Sequence, residues 1–157
     1  MAGPSCKPVE KELLIDDLLY GIDTVPVYAT AAEKTRLKSE SQFLGTAYAN
    51  LYLQPIASST LNELALVRLA NGDKGLIGEL VLENFLNDPT AQATMPSNAD
   101  MRADLDAFVE ATYLRFFQRL PGAYEQVAMR RLIEADPDIA TVDVYRAFIN
   151  SNEYLYY

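Results

Sequence analysis

Residues 100–120 read DMRADLDAFVEATYLRFFQRL, the strongest helical pattern in the chain. Its apolar and small side chains recur at the three- and four-residue spacing expected for one face of an α-helix. Aspartates stand in the first turns and arginines in the last, which complements the helix macrodipole. The face consists of Met101, Leu105, Phe108, Val109, Thr112 and Phe116. We therefore predict one continuous helix over residues 100–120.

The same helical period continues on both sides of this segment. Further helices are predicted over residues 9–20, 31–53, 60–70, 74–87, 122–135 and 141–156. The turns between them are rich in Pro, Gly, Asn and Asp, and residues 90–98 are expected to form a polar loop. Short turns favour antiparallel neighbours, so the sequence predicts an all-α, single-domain bundle of about seven helices. Residues 1–8 are expected to form a flexible N-terminal tail, and residues 9–157 a single helical domain.

Two of the predicted helices have clear apolar faces, which is typical of helices that bury one side. The face of residues 9–20 consists of Leu13, Leu14, Leu18 and Leu19. The face of residues 122–135 consists of Tyr124, Val127, Ala128 and Leu132. We expect this second face to point into the core of the bundle.

Composition excludes several classes of function. The chain has 157 residues, 13 Lys and Arg, 22 Asp and Glu, one Cys and no His, for a formal net charge of −9. Without His there is no Ser-His-Asp triad and no His-ligated zinc, and one Cys excludes intrachain disulfides and cysteine metal clusters. The acidic balance argues against nucleic acids and anionic membrane surfaces as partners. No apolar run approaches 18 residues, so we expect no transmembrane segment. Because the usual His and Cys ligands are missing, we also expect no cofactor.

Carboxylates and hydroxyls are the remaining candidates for catalysis. The carboxylate pairs are Asp16/Asp17, Asp100/Asp104 and Asp136/Asp138. They stand at predicted helix ends or in turns, where acids cap helices, and not across a cleft as glycoside hydrolysis requires. The 136–138 turn also lacks the Gly and the final Glu of an EF-hand loop. Ser58, Ser59 and Thr60 have no His to activate them, and nothing marks Lys74 as their base. The sequence therefore predicts no enzyme, no catalytic residue and no metal site.

Cys6 lies in the short polar segment MAGPSCKP. One interpretation is an exposed thiol without a role. The other is that residues 1–5 are a cloning remnant and Cys6 is the first, acylated residue of a mature bacterial lipoprotein, although Gly3 stands where a lipobox has Leu. Two acyl chains would anchor an otherwise soluble domain, so Cys6 is the candidate lipidation site and the only route to a membrane. This second interpretation predicts the cell envelope, either the periplasm or an outer-membrane anchor, and the first leaves the cytoplasm.

The C-terminal third combines paired polar residues with many aromatics. Ser151 and Glu153 can tie the final turns by local hydrogen bonds, and Arg119 is expected to pair with Glu125 or Glu153. We interpret Arg119, Glu125, Ser151 and Glu153 as a structural clasp that holds the last helix on the bundle. The alternative is an exposed recognition corner.

Tyrosines crowd the end of the chain, where residues 154–157 read YLYY. This end is too apolar to stay freely solvated, and Tyr is enriched at binding hot spots. Two expectations stay open: the tail folds back on the bundle, or it docks a partner. The candidate docking residues are Tyr145, Tyr154, Tyr156 and Tyr157.

Nine positions in residues 108–157 share one layout: an aromatic helix, an Arg-x-Pro turn, a Glu shortly after it and a closing Ser-x-Glu-Tyr. They are Tyr113, Phe116, Arg119, Pro121, Glu125, Phe148, Ser151, Glu153 and Tyr154. This third of the chain resembles a helical module of exported planctomycete and Bacteroidota surface proteins, which often stands beside cytochrome-like domains. Its Tyr…Arg-x-Pro…Ser-x-Glu-Tyr layout is also similar to that of phycobilisome linker domains. The resemblance implies a scaffolding or linker role and no chemistry.

Three hypotheses for function follow from the sequence. The leading one is a non-enzymatic, acidic helical scaffold that binds another protein, exported and lipid-anchored if Cys6 is acylated. The alternative is a periplasmic or surface accessory protein that binds a small ligand or carbohydrate in a pocket lined by Tyr and Asn. The third is a hydrolase that uses acids alone, which requires two buried carboxyls facing a cleft.

Overall fold

The computed structural model describes residues 30–156, and these form a helical bundle around one hydrophobic core. The α-helices are α1 (Glu40–Tyr52), α2 (Ser58–Ala70), α3 (Lys74–Asn87), α4 (Pro89–Gln92), α5 (Asn98–Ala103), α6 (Leu105–Phe117), α7 (Ala123–Ala135) and α8 (Thr141–Ile149). Short 3₁₀ turns cover Ala31–Glu33 and Glu153–Leu155. The predicted all-α bundle is confirmed. No helix within residues 30–156 is long and apolar enough to cross a membrane.

The predicted helix over residues 31–53 is wrong in its first part, because α1 begins only at Glu40. Ser39 caps it: the Ser39 hydroxyl accepts a hydrogen bond from the Gln42 N–H, and the Ser39 N–H donates one to the Gln42 side-chain oxygen. This reciprocal pair satisfies two backbone donors that would otherwise lack partners at the helix start. Leu37 and Lys38 instead run beside the C-terminal end of the described chain. There, the Lys38 N–H donates to the Leu155 carbonyl at 2.8 Å, and Leu37 forms an isolated antiparallel bridge with Tyr156.

The predicted helix over residues 100–120 is divided into α5 and α6 at Asp104, whose backbone is extended (φ −147°). Asp104 caps the second piece, since its carboxylate accepts a hydrogen bond from the Ala107 N–H at 3.0 Å. The first piece has its own capping box, formed by Ser97 and Asp100. Aspartate favours caps over helix interiors because its short side chain competes for backbone N–H groups. The macrodipole pattern is therefore produced by two helix starts and not by one. The expected 90–98 loop likewise contains the short helix α4.

Aromatic rings of α6 and α8 pack against each other within the core. Phe148 stacks on Phe117 with ring centroids 4.7 Å apart and meets Tyr113 edge to face at 5.0 Å. Phe116 contacts Tyr145 edge to face at 4.8 Å. Such pairs contribute about 0.5–1.5 kcal/mol each beyond the area they bury. The aromatic layer thus fixes α8 against α6.

Arg115 of α6 connects three separate parts of the bundle through its guanidinium group. It donates to the Asn50 and Leu51 carbonyls at the end of α1, at 2.6 and 3.3 Å. It also donates to the Thr94 carbonyl and hydroxyl at 3.1 and 2.8 Å, and to the Tyr145 hydroxyl at 3.1 Å. The last carbonyls of a helix lack partners within it, so a cation placed there satisfies them and complements the dipole.

Helix α7 faces the opposite way from the sequence prediction. Met129 and Ile133 point inward, with Ile133 fully buried, whereas the predicted core face of Tyr124, Val127, Ala128 and Leu132 is exposed. The prediction was wrong because α7 packs chiefly on α6 through its narrower Met129 and Ile133 side. No element within residues 30–156 covers the broader apolar side.

The last helix ends earlier than predicted, at Ile149 instead of residue 156. The Ser151 hydroxyl donates to the Phe148 carbonyl at 2.7 Å, which draws the backbone out of the α-helix. The chain then folds back through the second 3₁₀ turn and buries Tyr154, whose hydroxyl accepts a hydrogen bond from the Asn50 side chain at 2.9 Å. This fold-back positions Glu153 beside Arg119.

Candidate functional site

Arg119 lies at the centre of a compact ion-pair cluster, and its side chain is only 5% exposed. It donates two hydrogen bonds to Glu125, at 2.6 and 2.7 Å, and two to Glu153, at 2.7 and 2.8 Å. The guanidinium also lies over the Tyr113 ring, 5.1 Å from its centroid. Planar two-point pairing of this kind is specific to arginine. The structure therefore brings together the three charged residues that the sequence placed in the clasp, and Ser151 stands at the turn that presents Glu153 to it.

Lys34 and Lys38 add a second layer of positive charge to this cluster. Lys34 pairs with Glu153 at 2.9 Å and donates to the Phe117 carbonyl at 2.7 Å. Lys38 donates to the Tyr154 carbonyl and, at 2.9 Å, to the Tyr156 carbonyl. Burial and the nearby Lys34 lower the pKa of Lys38 to about 8. The sequence analysis missed both lysines, because they lie in a segment predicted to be helical.

The cluster holds both of its carboxyls in the ionised form. Hydrogen bonds from Arg119 lower the pKa of Glu125, outweighing its partial burial. Burial raises the pKa of Glu153, but hydrogen bonds from Arg119 and Lys34 together outweigh it, so this pKa also lies below its ordinary value. A carboxyl that stays ionised at neutral pH is unsuited to act as a general acid there.

This electrostatic arrangement predicts a loss of stability in acid. Both glutamates have a folded-state pKa below their ordinary value of 4.5, so they stabilise the fold above that pH. The stabilisation is lost as pH falls from about 4.5 through the folded-state pKa values. Urea unfolding measured from pH 7 to pH 2 tests this. The Glu153→Gln variant should be less stable at pH 7 and lose less stability in acid than the parent; equal acid losses would contradict the expectation.

Two of the four candidate docking tyrosines are buried, so the docking prediction is wrong for them. Tyr145 is 3% exposed and Tyr154 is 1% exposed. Both rings pack against Phe116, because the fold-back of the tail carries them into the core. Tyr156 is partly exposed, and Tyr157 lies outside the described residues. Cys6, the candidate lipidation site, also lies outside them.

The candidate catalytic carboxylates serve local structure where they are described. Asp100 and Asp104 cap α5 and α6, and the Asp136 carboxylate accepts a hydrogen bond from the Asp138 N–H at 2.9 Å within its turn. Asp16 and Asp17 lie outside the described residues. Ser58 and Ser59 occupy the exposed first turn of α2. Within residues 30–156, no group of three acidic or cysteine side chains is arranged to hold a metal ion.

The α2–α3 hairpin exposes an apolar surface that the sequence analysis did not single out. Helix α2 has no buried residue, although the partly buried Leu61 and Leu64 pack against the core cluster. It packs on α3 through Arg68, which pairs with Glu40 at 2.6 Å and lies against Gly78. Leucines point outward from both helices, and we call this surface the α2–α3 face. It consists of Leu66, Leu69, Leu76 and Leu80, which are 51–64% exposed, with Val67 at its edge.

A second apolar surface lies on α7, and we call it the α7 face. It consists of Tyr124, Val127, Ala128, Arg131 and Leu132. Tyr124 is 85% exposed, the largest exposure of any large apolar side chain among the described residues. An exposed apolar stripe at helical spacing is the usual mark of a surface that contacts something else.

One open depression of about 280 Å³ lies between the loop before α5 and the start of α8. Its lining residues are Gln92, Met95, Pro96, Ser97, Asn98, Ala140, Thr141 and Val142. None of these is aromatic, and Asn98 is already engaged, because its side-chain oxygen accepts a hydrogen bond from the Thr141 N–H at 2.9 Å. Ligand pockets instead combine apolar or aromatic walls with free polar groups. The depression therefore lacks the Tyr lining that a carbohydrate-binding function predicts, and its single Asn is engaged within the fold.

Comparison with family models, curated proteins and solved structures gave no match to this chain.

Proposed function

We propose that this chain is a non-enzymatic helical scaffold that binds another protein through the α2–α3 face. The observation that carries the proposal is the set of four exposed leucines on two helices that pack against each other. Large apolar side chains clustered on one surface are rare on monomers unless that surface contacts a partner. The four leucines supply the apolar centre that a protein–protein interface requires.

Charge around the α2–α3 face indicates what kind of protein would bind. Glu63, Asp73 and Glu79 are exposed on the same two helices and their connection. Arg68 lies on the inner side and is already paired with Glu40. The matching partner presents an apolar helix face bordered by Lys or Arg, because opposite charges at the rim speed association and reject other surfaces.

The ion-pair cluster around Arg119 supports a structural role for the residues that the sequence placed there. Its carboxyls are ionised and bound to cations, and not divided into an acid and a base as catalysis by paired acids requires. The similarity of residues 108–157 to helical modules of exported surface proteins points to the same kind of role. We extend the proposal to a cell-envelope protein whose membrane anchor is an acylated Cys6.

The α2–α3 face is tested by charge substitution. The double variant Leu66→Asp/Leu76→Asp is expected to weaken partner binding at least about tenfold, because each change buries an unpaired charge in the interface. The partner is first captured from the cell-envelope fraction by a photo-crosslinking amino acid at position 69. Affinity for the purified partner is then measured by titration calorimetry.

Leu114→Asp is the matched control, since Leu114 is a similarly exposed leucine on α6. It should leave the affinity unchanged. The proposal fails if position 69 captures no partner, or if the Leu114 variant weakens binding as much as the double variant does.

A further inference from the structure

We infer that the protein assembles head to tail, with the α7 face of one copy bound to the α2–α3 face of the next copy. The inference rests on the proposed α2–α3 interface and names its occupant, a second copy of this chain. It is carried by two exposed apolar surfaces within residues 30–156 whose unpaired charges are opposite.

The α7 face combines an apolar stripe with one unpaired positive charge. Tyr124 and Leu132 are 85% and 57% exposed, and Ala128 lies midway between them on the same side of the helix. A small residue at this place lets a second helix approach closely. Arg131 is exposed beside Ala128 and forms no ion pair with any residue of the described chain. A surface that covers the stripe must therefore place a carboxylate opposite Arg131, because a charge buried without a partner is costly.

The α2–α3 face supplies such carboxylates beside its leucines. Glu63 lies one turn before Leu66 on α2, and both are exposed. Glu79 lies one turn after Leu76 on α3, and both are exposed there too. Neither glutamate forms an ion pair within residues 30–156. The α7 face in turn has what the α2–α3 face requires of its partner, an apolar helix surface bordered by arginine.

The two faces belong to different parts of the bundle. Helix α7 packs chiefly on α6, whereas α2 packs on α1 and α3. Both faces are exposed within residues 30–156, so neither covers the other in a single copy. A contact between unlike faces of two copies leaves one free face at each end. Association therefore continues until a ring closes or a filament forms.

The size of the contact predicts weak assembly that depends on concentration. Helix α7 is about 20 Å long and two packed helices are about 20 Å wide, so each copy buries about 400 Å². A total of about 800 Å² is at the low end for a specific interface. The net charge of −9 on each copy also opposes association. At physiological salt, however, charges farther than about 8 Å from the contact are screened, so the local pairs decide which surfaces meet.

Two complementary variants test the inference by sedimentation velocity. Tyr124→Asp/Leu132→Asp removes the α7 face, and Leu66→Asp/Leu76→Asp removes the α2–α3 face. Between about 10 μM and about 1 mM, the parent protein is expected to rise from the mass of one copy to at least about twice that mass. Each variant alone should stay monomeric. An equimolar mixture of the two should form a dimer and nothing larger, because each pair then has only one intact contact.

The controls distinguish failure of this inference from failure of the proposed interface. Leu114→Asp changes an exposed leucine outside both faces and should assemble as the parent does. A parent that stays monomeric throughout the concentration range overturns the inference, and so does either variant that dimerises by itself, because like faces then meet. If position 69 nevertheless crosslinks to a different protein, the α2–α3 interface stands and only the assembly is refuted. If it captures nothing, both proposals fail.

The pairing of charges is tested in the same mixture. Arg131→Glu, added to the copy that keeps its α7 face, should weaken the mixed dimer by about tenfold, because like charges then meet. Glu63→Lys and Glu79→Lys, added to the other copy, should restore the affinity. If the mixture with all three reversals binds no better than the one with Arg131→Glu alone, opposite charges do not select this pair of faces and the inference is wrong.

Discussion

Arg119→Ala is expected to lower the free energy of unfolding by about 3 kcal/mol, near the lower end of the range for breaking a buried ion pair. The substitution removes the four hydrogen bonds to Glu125 and Glu153 and leaves these two carboxylates facing each other without their shared cation. Lys34 still neutralises part of the charge on Glu153, and Glu125 is one-third exposed, so the upper end of the range is not reached. Urea unfolding followed by circular dichroism at pH 7 measures the change.

Two matched variants show whether the stability lost in Arg119→Ala comes from the buried ion-pair cluster. Arg130→Ala removes an exposed arginine with two ion pairs on α7, and it should cost less than about 1 kcal/mol. Arg119→Lys keeps the charge and loses the planar two-point pairing, so its cost should lie between those of the two alanine variants. If Arg119→Ala costs no more than Arg130→Ala, the cluster does not hold the tail on the bundle.

Arg115→Met is expected to cost about 3 kcal/mol, the equivalent of two charge-assisted hydrogen bonds. Methionine retains the apolar stem but cannot donate to the Asn50 and Leu51 carbonyls or to Thr94. These acceptors, at the end of α1 and after α4, are partly buried, so water replaces the lost donors poorly. The loss should appear in urea unfolding and in faster hydrogen exchange at the C-terminal end of α1.

Tyr145→Phe serves as the comparison for Arg115. It removes one hydroxyl that accepts a hydrogen bond from the same guanidinium and keeps the aromatic core contacts. Its cost should be about 1 kcal/mol. The double variant should then be more stable than the sum of the two single costs predicts, because the two residues share one interaction. If Arg115→Met costs no more than Tyr145→Phe, Arg115 does not connect the three segments.

Much of the fold could be predicted because helix bounds are set by turn and capping residues that lie next to them in the sequence. The bounds of α3 follow from the Asn71-Gly72-Asp73 turn and from Pro89, and the structure reproduces them. The break at Asp104 was missed because an aspartate inside a helical period is read equally well as a first-turn acid or as a cap. Residues 31–38 were misassigned for another reason: their position depends on contacts with the C-terminal end, more than a hundred residues away.

The candidate site was predictable only in part. Pairing of Arg119 with Glu125 follows from a separation of six residues across a turn, but the contribution of Lys34 depends on the tertiary fold. The hydrophobic period of α7 shows which of its faces are apolar, but it does not show which face packs on a neighbouring helix. Tyr124 was therefore assigned to the core. Tyr154 shows the converse error, because an aromatic near a chain end was interpreted as a docking residue although a single turn buries it.

The bridge between Leu37 and Tyr156 places the segment ahead of α1 beside the C-terminal end of the described chain. Leu37 and Tyr156 are therefore neighbours in space although they are far apart in the sequence, and a short linker between them would leave the helices in place. A permuted chain that joins these points and opens between α2 and α3 should retain the aromatic core. Tension applied across the same two points would be borne first by the Leu37–Tyr156 pairing and its lysines, and only afterwards by the helices behind them.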